Sequence, residues 1–186
     1  QTVVFNSVYS GMGLSTDLSK GLFERFRSLP VWPLAPFAGL MVGDVLRHVI
    51  AGAIILGIGL ILGYRPEAGI AGVLASFLLL IAIGFGTGWI FIVLGLIIRT
   101  PMTVMTIGFT FIFPLVFASN IMVQPETMPG WLAAFVNHNP VSFMATALRG
   151  LMAGTATAQE VLLALAAPVS LTIVLAPVVL WLYRRN

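Results

Sequence analysis

The chain contains no cysteine and little charge: nine Lys and Arg and six Asp and Glu among 186 residues, 8% in all. The first absence excludes disulfides and thiolate metal sites. The second sets the chain apart from an ordinary water-exposed domain, in which about a quarter of residues are charged. Three motifs of catalysis or nucleotide binding are also missing. There is no G-x-x-x-x-G-K-[ST] loop to cradle a phosphate and no H-E-x-x-H pair to hold zinc. Nor is there a G-x-S-x-G turn to present a serine nucleophile. His138 and Ser142 therefore lack the setting of a hydrolase, and no catalytic or metal-ligating set is expected.

What the chain does have is apolar sequence, 59% of its residues. Predominantly apolar runs cover 37–64, 70–98, 102–122 and 161–183, each long enough for a membrane-crossing helix of about 20 residues with some tilt. Helices are expected because a lipid-exposed backbone must satisfy its own hydrogen bonds, and the runs lack the polar alternation of a barrel strand. The first stretch, Val3 to Leu14, is apolar but shorter than a span. It reads as the end of a span (1–14) that begins before Gln1. The expectation is an all-α, polytopic transmembrane bundle forming one domain over 1–186, with four complete spans after a partial one. Gly39 and Gly43, Gly59 and Gly63, and Gly84 and Gly88 have the small-xxx-small spacing that allows close helix approach. Pro114, Pro168 and Pro177 fall inside spans as candidate kinks.

Each crossing reverses the side of the next connection, so the basic residues can be assigned to sides. Lys20, Arg25, Arg27, Arg47, Arg99, Arg184 and Arg185 fall on one side, against Arg65 and Arg149 on the other. Seven against two places the Lys20–Arg27 segment and the C-terminus in the cytoplasm. The opposite segment, 124–159, mixes Pro125, Pro129, Gly130, Trp131 and Pro140 with apolar stretches. It reads as short helices in the outer interface, where Trp131 suits headgroup depth.

Between the partial span and the next lies a bounded segment, 16–30, with a candidate cap at Thr16 or Asp17 and a stop at Pro30. Leu18, Leu22, Phe26 and Leu29 make one apolar stripe at helical spacing, and Lys20, Glu24 and Arg27 occupy the rest of the surface. Such a helix either rests on the inner leaflet or docks into a groove of a soluble partner, with aromatic anchors inside a rim of charge.

The wording of this segment, Lys20-Gly21-Leu22-Phe23-Glu24-Arg25-Phe26-Arg27-Ser28-Leu29-Pro30, resembles the coupling segment of ABC type-2 permeases, in particular the daunorubicin-resistance-type exporters. Gly43-Asp44-Val45-Leu46-Arg47, Phe117-Ala118-Ser119-Asn120, Pro125-Glu126-Thr127-Met128-Pro129-Gly130-Trp131, Asn139-Pro140-Val141-Ser142 and Ala147-Leu148-Arg149-Gly150-Leu151 extend the resemblance along nearly the whole chain. It implies the ABC type-2 exporter permease fold, with six spans in full length, of which the first and part of the second are missing here. It also implies a pair of permeases, homodimeric or heterodimeric, in the plasma (inner) membrane. Each would be bound to a cytoplasmic ATP-binding subunit that holds ATP and Mg, with no cofactor on this chain and no nucleic-acid partner. The coupling contact then falls on Leu22, Phe23, Glu24, Arg25, Phe26 and Arg27, with the aromatics as anchors.

Asp44, Arg47 and His48 lie near the start of a span, where ionisable groups are functional candidates by default. They read either as a structural ion pair or as participants in a transport cycle. Glu126 and Arg149 read as an outer pair or as water-facing groups. Phe85, Trp89, Phe109 and Phe113 are candidates to line a route, with packing as the plainer reading. No substrate site is legible: amphipathic drugs, lipids and polyketide-like molecules all suit apolar walls, and the same family handles glycans. An ion-driven secondary transporter would require midplane coupling residues or paired interrupted helices, and no internal repeat is visible. A non-transporting scaffold would give no nucleotide-dependent change at Lys20–Pro30.

Overall fold

The computed structural model describes residues 1–21, 35–98, 100–121 and 129–183, with the helical backbone of 184 and 185. All regular structure among the described residues is α-helical: α1 Thr2–Ser19, α2 Ala35–Ile61, α3 Gly69–Ile97, α4 Pro101–Phe117, α5 Gly130–His138, α6 Pro140–Ala153 and α7 Ala158–Arg185. Among the described residues three stretches are long and apolar enough to cross a membrane: α2, α3 and the Ala158–Tyr183 part of α7. α4, at 17 residues, rises only about 25 Å at 1.5 Å per residue.

α3 is the axis of the bundle. Half of its most apolar window is buried, against 11% in α2 and in α7, and its main neighbours are α1 and α7. A helix hydrophobic all round belongs in such a place. Three apolar clusters surround it. At one end Leu14, Phe37, Met41, Trp89, Ile92, Leu96 and Val179 join α1, α2, α3 and α7. At the other, Val3, Leu79, Ile83, Met144, Ala147 and Ala164 join α1, α3, α6 and α7. Val4, Val8, Phe91, Ile112 and Val116 fix α4 against α1 and α3. The end of α1 and the start of α2 thus share one end of the bundle, and α6 lies at the other.

Three boundaries differ from the sequence reading. The first helix does not stop at Leu14, nor does a new one start at Thr16 or Asp17: α1 continues to Ser19 and ends at Gly21, where φ is +70°. The hydroxyls that resemble caps are used otherwise. Thr16 Oγ1 donates to Met12 O at 2.9 Å within the helix, and Ser15 Oγ donates across to Ile98 O at 2.8 Å, satisfying a terminal carbonyl of α3. α4 stops at Phe117 instead of reaching Met122, beyond the internal Pro114. α7 starts at Ala158, ahead of Val161, because Thr157 and Glu160 form a reciprocal capping box, with Thr157 N to Glu160 Oε2 at 2.9 Å and Glu160 N to Thr157 Oγ1 at 3.3 Å.

The glycine seams are also elsewhere than expected. Gly39, Gly43 and Gly88 face open space, Gly59 meets only Tyr64, and Gly63 (φ +95°) ends a helix. Of the expected pairs, only Gly84 meets another helix, at the His48 ring. The close crossings are formed by glycines outside those pairs. A Cβ on Gly11 would lie 2.5 Å from Phe91 O, and one on Gly95 would lie 2.6 Å from Gly11 O, so α1 and α3 touch backbone to backbone. Gly86 meets Pro168 of α7, Gly72 meets Leu151 O of α6, and Gly108 meets Val8 of α1.

Gly11→Ala and Gly86→Ala should therefore each destabilise the fold by about 1–3 kcal/mol, the usual cost of overpacking. Gly43→Ala should stay within roughly 0.5 kcal/mol. Thermal unfolding of the three variants in one detergent checks the ranking, and equal loss in all three would contradict the assigned seams.

Candidate functional site

Leu22, Phe23, Glu24, Arg25, Phe26 and Arg27 lie outside the described residues, as does Glu126. The flanking helices are described: Lys20 and Gly21 follow α1, Ala35 opens α2, and both helix ends pack on the cluster around Leu14 and Phe37.

Asp44, Arg47 and His48 are brought together deeper in α2, beginning about two and a half turns after Ala35. Asp44 and His48 lie on its buried face, at 8% and 1% exposure, and Arg47 points outward. Arg47 Nη1 donates to Asp44 Oδ1 at 3.1 Å, a local i,i+3 pair. His48 sits against Gly84 of α3, in space that a side chain there would fill. Ser10 of α1 lies beside Asp44 and the Val3 backbone beside His48, yet neither ring nitrogen nor Ser10 Oγ has a hydrogen-bond partner. Among the described residues no group of three or more His, Cys, Asp or Glu is placed to hold a metal.

Three other buried polar atoms among the described residues, Ser76 Oγ, Trp89 Nε1 and Asn120 Oδ1, also lack a partner, and the groups that follow are satisfied. Ser7 Oγ and Thr87 Oγ1 share a hydrogen bond of 3.1 Å between α1 and α3, and each is also anchored to a carbonyl of its own helix. At the far end, Asn139 joins three helices. Its Nδ2 donates to Leu115 O and Ala118 O, both at 2.7 Å, closing the end of α4, and its Oδ1 accepts from Val141 N to cap α6. Asn120 adds bonds to Ser142 Oγ (3.1 Å, from the backbone) and Thr146 Oγ1 (2.8 Å). Arg149 Nη2 donates to Ile121 O at 2.8 Å. Sequence reasoning missed Asn139, although Asn followed by Pro is the N-cap and N1 pair of a helix start. His138 is exposed and pairs with Ala134 O of its own helix, while Ser142 is buried against Asn120. The two do not form a nucleophile and base.

The four aromatic candidates separate into two places. Phe85 and Trp89 pack edge to face, with centroids 5.9 Å apart, and line an apolar cleft of about 340 Å³ with Phe37, Met41, Val42 and Val45 of α2. Phe109 and Phe113 lie on the α1–α4 seam, where Phe5 reaches both and Tyr9 reaches Phe109.

The outward faces of the helices differ in kind. α2 exposes Val42, Leu46, Ile50, Ile54, Ile58 and Ile61, and α7 exposes Leu162, Val169, Ile173, Val174 and Trp181. Opposite their buried sides, α1 carries Thr2, Asn6, Tyr9 and Gly13, and α4 carries Thr103, Thr106, Thr110, Phe113 and Phe117. Thr106 and Thr110 donate to the carbonyls four residues back, which satisfies their protons and leaves oxygen lone pairs facing outward.

Comparison with known proteins bears on all of this chemistry. The profile of the family described as ABC-2 type transporter matches residues 1–153. The chain is 47% identical over 186 residues to a daunorubicin resistance ABC transporter permease protein (DrrB1) of Streptomyces coeruleorubidus, an alignment covering 100% of this chain and 66% of that protein. It is 30% identical over 162 residues to a doxorubicin resistance ABC transporter permease protein (DrrB) of Mycobacterium tuberculosis, covering 87% of this chain and 56% of that protein. A probable doxorubicin resistance ABC transporter permease protein (DrrC) of the same organism is 26% identical over 152 residues, covering 81% and 54%. The chain thus spans somewhat less than two thirds of the length of these relatives. No solved structure matches it.

Replacing Asn139 by Ala leaves the Leu115 and Ala118 carbonyls and the Val141 N–H without their partner. An unsatisfied buried polar group costs about 1–3 kcal/mol, so Asn139→Ala should lower the thermal midpoint clearly, whereas His138→Ala should leave it nearly unchanged. Equal effects would mean that the amide is not the link between α4 and α6.

Proposed function

This chain belongs to the ABC-2 type transporter family, and we propose that it is the permease part of an ATP-driven exporter of amphipathic aromatic drugs. The observation that carries the reading is the contrast between outward faces. The aliphatic faces of α2 and α7 suit lipid tails. Hydroxyl, amide and aromatic groups along α1 and α4 suit neither pure lipid nor a packed core, because polar groups inside a membrane face a bundle interior or a cavity. In a pair of permeases these faces border the route. Tyr9, Phe113 and Phe117 supply flat contact, and the threonine oxygens supply acceptors. The relatives are named for resistance to daunorubicin and doxorubicin, and cargo of that kind combines fused rings with polar edges.

This chain has no phosphate-binding loop, so ATP and Mg belong to a cytoplasmic ATP-binding subunit. Leu22, Phe23, Glu24, Arg25, Phe26 and Arg27 are the contact with that subunit, Phe23 and Phe26 as anchors and the charges as register. The segment containing them and the C-terminus face the cytoplasm, which agrees with the excess of Lys and Arg at that end. In full length the permease has six spans. ATP drives the cycle only as far as its bound and hydrolysed states favour different conformations of the pair. Closure of the ATPases displaces the Leu22–Arg27 segments, and α1 and α2, which flank them in the chain, carry the displacement into the bundle.

The full-length permease reconstituted with its ATP-binding subunit tests both halves of the reading. Phe26→Ala and Arg27→Glu should weaken assembly, and truncating an aromatic anchor should cost about 2 kcal/mol or more, roughly a 30-fold loss of affinity. Normal assembly and drug-stimulated ATP hydrolysis in both variants would remove the coupling assignment. Thr110→Leu should preserve assembly and basal hydrolysis while reducing drug transport several-fold, an order of effect expected for one polar contact of about 1 kcal/mol. Undiminished transport in that variant would remove the α1–α4 face from the route.

A further inference from the structure

The cluster of Ser10, Asp44 and His48 gathers three of the six unpartnered buried polar side-chain atoms among the described residues, the other three lying singly on Ser76, Trp89 and Asn120. Buried polar atoms are almost always hydrogen-bonded, and the exceptions call for an explanation. Here three atoms of two residues on facing helices, Ser10 Oγ and both ring nitrogens of His48, are buried without partners. An aliphatic side chain at 48 would fill the same slot beside Gly84 without burying any polar atom. The slot itself is specific, because even one methyl group at Gly84 would overlap the imidazole. The ring is thus held in an apolar wall, one helical turn from a buried carboxylate.

We propose that His48, Asp44 and Ser10 form a proton-binding site at the junction of α1, α2 and α3, and that loading it changes how α1 and α2 hold the segment between them. The chemistry requires no added reactant: a proton from solvent adds to an imidazole nitrogen, and no other bond breaks. Asp44 and His48 are four apart on one helix face, so the imidazolium reaches the carboxylate by side-chain rotation alone. Asp44 then turns from Arg47, whose side chain is half exposed, and Ser10 becomes a donor or acceptor to the new pair. The groups facing the ring are few. α2 presents Asp44 and Arg47, α1 presents Ser10 and the Val3 backbone, and α3 presents Gly84 with no titratable residue anywhere along it. The other titratable side chains of α1 are Tyr9, on its outward face, and Asp17, two turns beyond Ser10. Imidazole is the side chain whose ordinary titration falls between about pH 5 and 8. α1 and α2 are the helices on either side of the Leu22–Arg27 segment, so a change in their contact is transmitted there. That consequence for transport rests on the exporter reading; proton binding does not.

Two measurements on the full-length permease separate the parts. In lipid nanodiscs with ¹³C-histidine, the His48 ring signal, assigned by its loss in His48→Gln, should shift with pH between about 5 and 8, and Asp44→Asn should move the midpoint. A His48 signal that stays constant across that range overturns the site. In proteoliposomes with the ATP-binding subunit, ATP-driven transport of daunorubicin by the wild type should show an inflection in the same range, and His48→Gln should lose it while still assembling. An inflection that persists in His48→Gln overturns the link to transport. Absence of any transport by the wild type at every pH would count against the exporter reading and against the link, leaving the nanodisc titration to decide the proton site.

Discussion

The bundle depends on one contact, the crossing at which α1 and α3 meet backbone to backbone at Gly11, Phe91 and Gly95. Between helices in lipid there is little hydrophobic driving force, because the surrounding tails are as apolar as the side chains, and close van der Waals packing must supply the attraction. Such packing is strongest where no side chain stands between the backbones. Several other features follow from this closeness. Ser15 is near enough to satisfy Ile98 O, Ser7 reaches Thr87, and Val8 of α1 seats Gly108 of α4. Against the opposite side of α3, Gly86 admits Pro168, so a residue that cannot donate a backbone hydrogen bond sits where α7 has a neighbour tight enough to hold its shape.

Much of the fold was legible in the sequence because one solvent imposes one rule. Long apolar runs become helices, and α2, α3 and α7 follow from the runs at 37–64, 70–98 and 161–183. Glycine spacing was a poorer guide. Gly39 and Gly43 have the same spacing as a packing motif, but spacing states only that two glycines share a face, not that another helix lies against it. Gly11 and Gly95 lie on different helices, and no pattern within one helix reveals their meeting. The α1 boundary was misread for a related reason: Ser15 and Thr16 resemble a cap in isolation, and only the position of Ile98 and Met12 shows what their hydroxyls bond. Asn139 and the Thr157–Glu160 box were written in the sequence and simply lay inside a segment dominated by proline and glycine. The Leu22–Arg27 contact lies outside the described residues and stands on the resemblance and the family alone.

The outward surfaces of the described helices are of two kinds. α2 and α7 present branched aliphatic side chains in continuous strips, for which acyl chains are a sufficient partner. α1 and α4 present hydroxyls whose protons are already bonded within the helix, so what remains exposed is acceptor capacity beside aromatic rings. A surface of that type tolerates lipid but discriminates among molecules that bring donors. Part of it lies on α1, which precedes the Leu22–Arg27 segment in the chain, so under the function proposed above recognition and coupling share one continuous stretch of polypeptide.

Asn139 gives the far end of the molecule a particular mechanical character. Its amide closes two carbonyls at the end of α4 and the first N–H of α6, while Asn120 and Arg149 add further ties between the same elements. α4 and α6 are therefore tied together at this end as one body. A tilt of α4 carries α6 with it, because either helix moving alone would leave the Leu115 and Ala118 carbonyls without their donor.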